Sequence, residues 1–154
     1  MKTSIVTLLF VLFGFGLLAA QSTDDFVTTW KTDNLSTGSS NSTSITIRTY
    51  PGEVYNYDVD WDNDGVFDQT GITGDVTHDF SSAGTYTIRI QGAFPGIYFL
   101  ASNADLLKIL SVDQWGSIPW ASMTDAFHNC QNLVINATDN PNLSGVSNLN
   151  GTFR

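Results

Sequence analysis

The sequence predicts a mainly β protein: an antiparallel β-sandwich followed by the start of a solenoid with one short strand and one short helix per unit. Three observations carry this expectation. Apolar and polar residues alternate with period two through most of residues 26–100, as half-buried strands require. From Leu107 onward, apolar and turn positions recur at a constant offset, that from Leu107 to Leu133, and this period lies in the range of stacked repeats. Charged residues make up only 14% of the chain against 42% hydrophobic, well below the roughly 25% charged of an ordinary globular protein. Ser, Thr and Asn take the polar positions instead.

The charge that exists is one-sided. Six Lys and Arg stand against 15 acids, a net charge of −9, and every acid except Glu53 is aspartate. This balance argues against nucleic-acid binding, which needs basic patches to neutralise phosphates. The apolar content is too high for a disordered chain.

The elements follow in chain order. Lys2, the apolar run Ile5–Leu18 and the small pair Ala19-Ala20 before Gln21 have the layout of a secretory signal peptide, with cleavage expected after Ala20. The run is too short for a bilayer span of about 20 residues, so no transmembrane segment is expected after cleavage. Residues 21–102 then read as the sandwich. Ile45 and Ile47 alternate with Ser44, Thr46 and Arg48. Tyr55, Tyr57, Val59 and Trp61 alternate with Asn56, Asp58 and Asp60. Tyr86, Ile88 and Ile90 alternate with Thr87, Arg89 and Gln91. Phe26–Lys31, Val76–Phe80 and Ile97–Leu100 are weaker strand candidates. Pro51-Gly52, Asn63-Asp64-Gly65, Ala83-Gly84 and Pro95-Gly96 supply the turns between them.

Residues 103–154 read as repeat units of period 26. Leu107 and Ile109 match Leu133 and Ile135, Asp113 matches Asp139, Trp120 matches Val146, and Met123 and Phe127 match Leu149 and Phe153. The last two pairs are each spaced four apart, as on one helix face. Cys130, the only cysteine, excludes an intrachain disulfide and reads as a small buried hydrophobe.

Two stretches resemble known families. Val59-Asp60-Trp61-Asp62-Asn63-Asp64-Gly65, Thr77-His78-Asp79-Phe80 and Ala83-Gly84-Thr85-Tyr86-Thr87-Ile88 resemble, in order and spacing, the motifs of the polycystic-kidney-disease (PKD) domain. Asn63 stands where that family usually has Gly, and Asp79 where it has a small residue. The resemblance implies an immunoglobulin-like, non-catalytic extracellular module that spaces other domains, with His78 as a packing residue. Trp115-Gly116-Ser117-Ile118-Pro119-Trp120-Ala121-Ser122-Met123, then Ala126-Phe127, Cys130 and Asn132-Leu133, and next Asp139-Asn140-Pro141-Asn142-Leu143-Ser144-Gly145-Val146, resemble the repeats of BspA-type leucine-rich-repeat surface proteins, also known from mycoplasma lipoproteins. Since the sequence stops within the expected helix of the second unit, without the polar cap a terminal repeat needs, it reads as the N-terminal fragment of a longer surface protein.

One constellation carries candidate chemistry. Asp60, Asp62, Asp64, Gly65 and Asp68 occupy positions 1, 3, 5, 6 and 9 of a calcium-type loop, with Val66 placed to offer its carbonyl. Position 12, which should close the site with a bidentate acid, is Gly71. Two readings stay open: a weak calcium loop in the roughly 10⁻⁴–10⁻³ M range of extracellular modules, or a turn whose Asp and Asn side chains bond their own backbone. Neither His78 nor His128 has metal-ligand or triad spacing, and no nucleophile elbow, phosphate loop or zinc-protease motif is present. The aspartates are expected on an outward strand face and in a solvated turn.

The function expected is that of a non-catalytic secreted or cell-surface adhesion module, the sandwich as spacer and the repeats as the face for a protein or glycan ligand. The alternative is the accessory N-terminal region of a secreted hydrolase.

Overall fold

The computed structural model describes residues 22–100 and 105–154; the signal-peptide reading of residues 1–20 lies outside them. Eight strands follow one another: β1 (Phe26–Lys31), β2 (Ser44–Ile47), β3 (Asn56–Asp60), β4 (Gln69–Ile72), β5 (Val76–Asp79), β6 (Thr85–Ala93), β7 (Ile109–Gln114) and β8 (Val134–Ile135). The protein is mainly β. One sheet has six strands in the order β4-β3-β6-β1-β7-β8, and the other pairs β2 with β5. Among the described residues no helix is long and apolar enough to cross a membrane.

The alternation read from the sequence places the core. Ile45 and Ile47 of the small sheet meet Tyr57, Val59, Ile88 and Ile90 of the large one, all at most 1% exposed. Each such burial contributes about 1.5–3 kcal/mol. Two details depart from the expectation. Gln69–Ile72 forms the edge strand β4 although it shows no alternation, held by Asp58, which accepts from Gly71 N–H at 2.8 Å and from Gln91 Nε2 at 2.9 Å. The candidate Ile97–Leu100 makes one bridge, Ile97 to Thr49, and no strand.

The sandwich and the repeat region share one core. β1 lies between β6 and β7, antiparallel to both. Phe26 packs its ring on Trp115 and Trp120, and Phe99 packs on Phe127. The boundary expected between residues 102 and 103 falls in residues 101–104, outside those described, while the buried cluster runs from Phe26 through Phe127 without a break.

No helix is present among the described residues, so the strand-plus-helix unit is corrected to strand plus turns. Residues 123–130 close with i to i+3 bonds, Ala126 N–H to Met123 O and Cys130 N–H to Phe127 O, both 3.2 Å. Asp125 (φ +51°) and Asn129 (φ +56°) adopt left-handed conformations that a helix cannot contain. The second unit reproduces the turn one period on, Thr152 N–H donating to Leu149 O at 3.3 Å. A four-residue spacing of apolar side chains arises from such turns as readily as from a helix, and so short a segment does not recover the cost of helix nucleation.

The two units stack as coils. β7 and β8 are parallel, Ser111 opposite Val134 and Val112 opposite Ile135. That register is three short of the period at the turns, where Phe127 and Phe153 stack their rings at 5.4 Å. The second coil therefore takes up three more residues than the first between strand and turn, which is why Asp113 meets Asn136 Nδ2 at 3.1 Å while Asp139 instead accepts from Trp115 and Gly116 N–H at 2.8–3.1 Å. Gly116 (φ +68°) is required there, since a Cβ would collide with the Asp24 and Asp25 carbonyls.

A buried ion pair fastens the seam. Lys108 and Asp105 are both fully buried with Nζ 3.6 Å from the carboxylate. Lys108 Nζ also reaches Ser40 O, Ser40 Oγ, Asn41 O and Ser44 O at 2.7–3.0 Å. Asp105 accepts from Ser40 N–H, Ser40 Oγ and Thr46 N–H at 2.6–2.7 Å. Burial pulls the Lys108 ammonium below the ordinary lysine range, and Asp105 opposes that shift. Lys108→Met should leave Asp105 buried without its countercharge and cost about 3–5 kcal/mol in urea denaturation. Lys108→Arg should not restore the loss, because a planar guanidinium cannot satisfy oxygens arranged around a single ammonium.

Candidate metal centre

The acidic turn leaves the end of β3 and returns to β4. Asp60 closes β3 with its side chain turned inward, fully buried, against the expectation of a solvated face for these acids. Its carboxylate accepts from Gly65 N–H at 2.9 Å and from Asp64 N–H at 3.3 Å. Asn63 (φ +59°) and Gly65 (φ +96°) take the left-handed conformations that make the turn tight. Asparagine tolerates that region better than other residues with a side chain, so Asn63 keeps the turn.

Of the five residues proposed as ligands, three come together. One carboxylate oxygen each from Asp60, Asp62 and Asp68 lie within 4.8 Å of one another, Asp60 buried and the other two exposed. Asp68 also holds Trp61 N–H at 2.8 Å. Asp64 stands outside the group, its Oδ1 accepting Val66 N–H at 2.8 Å. Val66 enters the turn through that N–H, with its side chain exposed. Both readings of the sequence have their geometry here. Asp62 and Asp64 bond backbone two residues on, as Asx turns do, and three hard oxygen donors still converge on one point.

The repulsion is already partly met by a cation that the sequence reading missed. Arg89 of β6, only 5% exposed, brings Nε to 4.0 Å from Asp60 and Nη1 to 3.5 Å from the buried Asp25. Its Nε and Nη2 donate to Asn63 Oδ1 at 3.2 and 3.0 Å. Arg89 occupies a polar slot in the alternation of β6, which signalled an outward residue; the charge deficit of the neighbouring turn was the one available hint. Asp25 is raised by its burial, with Arg89 opposing. Asp62 is raised by desolvation and by Asp64, Asp68 and Asp60, with the Asp64 N–H opposing.

Beside the turn, the His78 ring lies flat on Trp61, centroids 4.5 Å apart and planes 10° apart. Burial lowers its pKa, with Asp68 and Asp79 opposing. Cys130 is half-buried, and that burial pushes its thiol well above the ordinary range, a setting for an inert thiol.

The sign of the Asp62 shift yields a test. An acid raised in the folded state costs stability as pH climbs through its folded pKa, above the ordinary value near 3.8. In EDTA at pH 7, Asp62→Asn should therefore raise Tm by about 1–4 °C, as expected of an exposed charge interaction. It should also remove the stability that Asp62 itself returns as pH falls from neutrality toward the ordinary carboxylate value. Calorimetry across that pH range reads both effects. No family model, curated protein or solved structure matches the chain.

Proposed function

We propose that the chain is a non-catalytic, exported surface protein in which a PKD-like, immunoglobulin-like sandwich acts as spacer and leucine-rich-repeat-like coils of the BspA type present a binding face to a protein or glycan. The observation that carries this reading is the chemistry of the second coil's surface. Gln131, Asn132, Asn136, Thr138, Asn140, Ser144, Ser147 and Asn148 are all exposed. The coil stacks on the shared core through the Phe127–Phe153 ring pair and the β7–β8 ladder, which frame these amides and hydroxyls. Uncharged donors and acceptors so held suit hydrogen bonding to hydroxyl-rich or peptide ligands, which pays little ordering entropy on binding.

Calcium is proposed as an accessory to the spacer. Asp60, Asp62 and Asp68 are the residues that would hold it, and its chemistry there is to neutralise a turn that Arg89 only partly balances. Export to calcium-rich surroundings suits a weak site of this kind.

Two measurements test these readings separately. On glycan and protein arrays, the purified chain should retain discrete ligands, and Thr138→Ala with Asn140→Ala should weaken that binding about tenfold while leaving Tm unchanged; silence on both arrays counts against a binding face. Millimolar calcium should raise the wild-type Tm by several degrees over EDTA, since tenfold excess over Kd is worth about 1.4 kcal/mol. Asp62→Asn should abolish that shift, and an unmoved wild-type Tm would make the turn purely structural.

A further inference from the structure

Asn150 is the one asparagine in the sequence that precedes a glycine, and Asp64 is the one aspartate that does. Asparagine is a chemically labile residue, and a following glycine, having no Cβ, leaves its own nitrogen open to approach. That nitrogen can then attack the side-chain Cγ of the preceding residue and close a five-membered succinimide ring. Two conditions decide the outcome in a folded chain: the nitrogen must not be held elsewhere, and water must reach the ring.

The fold treats the two pairs oppositely. Gly65 N–H donates to the buried Asp60 at 2.9 Å, and Asp64 Oδ1 accepts Val66 N–H at 2.8 Å, so both reacting groups are held. Gly151 N–H has no acceptor among the described residues, and the Asn150 carboxamide makes no hydrogen bond among them either. Asn150 is exposed. Its main chain is fixed instead: Asn150 N–H donates to Asn148 Oδ1 at 2.8 Å, and Asn150 O accepts Asp125 N–H at 2.9 Å. Glycine is selected at 151 by the same contact between turns. A side chain there would have to adopt a φ of +69° and would meet the Asp125 carboxylate. The packing of one turn on the next thus demands the residue that makes Asn150 reactive.

The geometry points to Asn150 as a site of spontaneous conversion to aspartate and isoaspartate. Gly151 N bonds to Asn150 Cγ, the Cγ–Nδ2 bond breaks, and the Gly151 proton leaves with Nδ2 as ammonia. Water then opens the ring at one of its two carbonyls. Opening at Cγ gives aspartate. Opening at the main-chain carbonyl gives isoaspartate, whose backbone runs through the former side chain and is longer by one methylene. Water is the only co-reactant, and nothing is oxidised or reduced. Either product sets a new carboxylate near that of Asp125, which packs against Gly151 and has His128 Nδ1 at 3.5 Å. Isoaspartate also displaces the carbonyl that Asp125 N–H uses, so it loosens the second turn on the first. This inference is independent of the calcium reading and of the ligand proposed for the polar surface.

The test ages the chain in warm, mildly alkaline buffer, folded and in urea, and maps the products by peptide mass spectrometry with isoaspartate-specific methyl labelling. In the folded chain the peptide holding residue 150 should gain the mass difference between an amide and an acid and take up label, at a rate comparable to that in urea. Label at residue 64 should appear in urea alone. Asn150→Gln, which could cyclise only through a six-membered ring, should lose the label at 150 completely. The aged chain should melt a few degrees below the fresh one, with faster amide exchange at Asp125. Asn150→Asp, which adds the charge without the methylene, should give only part of that drop. A residue 150 that reacts in urea and stays intact in the folded chain overturns the proposal, as does label that persists in Asn150→Gln. An aged chain that keeps the fresh chain's Tm overturns the loosening.

Discussion

The Lys108–Asp105 pair is the constraint on which the rest of the structure depends. It draws the loop ending at Ser44, the start of β2 and the entry to β7 onto two charges that are fully withdrawn from water. Lys108 O also accepts from Lys31 N–H at 2.7 Å, so the same residue registers β1 against β7. Removing two charges from water costs several kcal/mol each, and that cost is offset only where every donor and acceptor is met. Here the oxygens around Nζ and the donors around Asp105 meet them. Such a pair contributes little net stability beside an apolar alternative, but it tolerates one arrangement of the chain and no neighbouring one. It fixes how the coils begin, and the shared core follows from where they begin.

The strands were legible where one face is buried and the other wet. Ile45 and Ile47, Tyr57 and Val59, and Ile88 and Ile90 read directly as core, because period-two alternation is the physical record of a half-buried strand. β4 was not legible, since Gln69, Thr70 and Gly71 lie exposed at a sheet edge and carry no apolar partner to alternate with. The repeat was legible in its turn positions and misjudged in its secondary structure. Met123 and Phe127 do face the core together, yet Asp125 and Asn129 in left-handed conformation carry the chain there by turns. Side-chain spacing reports which residues share a face; it says less about the backbone that puts them there.

The acidic turn divides in the same way. Aspartates at alternate positions were visible in the sequence, and three of them do converge. The buried state of Asp60 was not visible, because its slot in β3 is the polar one, and neither was Arg89, which sits in the polar slot of β6 opposite it. Those two polar positions are paired across the ladder, and that pairing answers for both: each supplies the charge that lets the other be buried. A turn so rich in carboxylates is therefore balanced from the inside by arginine and open to a cation only on its outer side, where Asp62 and Asp68 are exposed.

The distribution of charge separates two surfaces with different physical behaviour. The acids of the β3–β4 turn and the surrounding strands keep that end of the molecule highly solvated, and long-range repulsion there disfavours close approach by other acidic chains over the roughly 8–10 Å that salt leaves unscreened. The second coil carries little of this charge, its charged side chains being Asp139 and Arg154. Its polarity lies in amides and hydroxyls, which act only at contact distance and only in defined directions. The rings from Trp30 to Phe153 keep the layers in step, and backbone bonds tie the layers both ways: Phe99 and Phe127 N–H run outward to Asp125 and Thr152 O, while Ala121, Ser122 and Asn136 N–H run back to Pro95 and Val112 O.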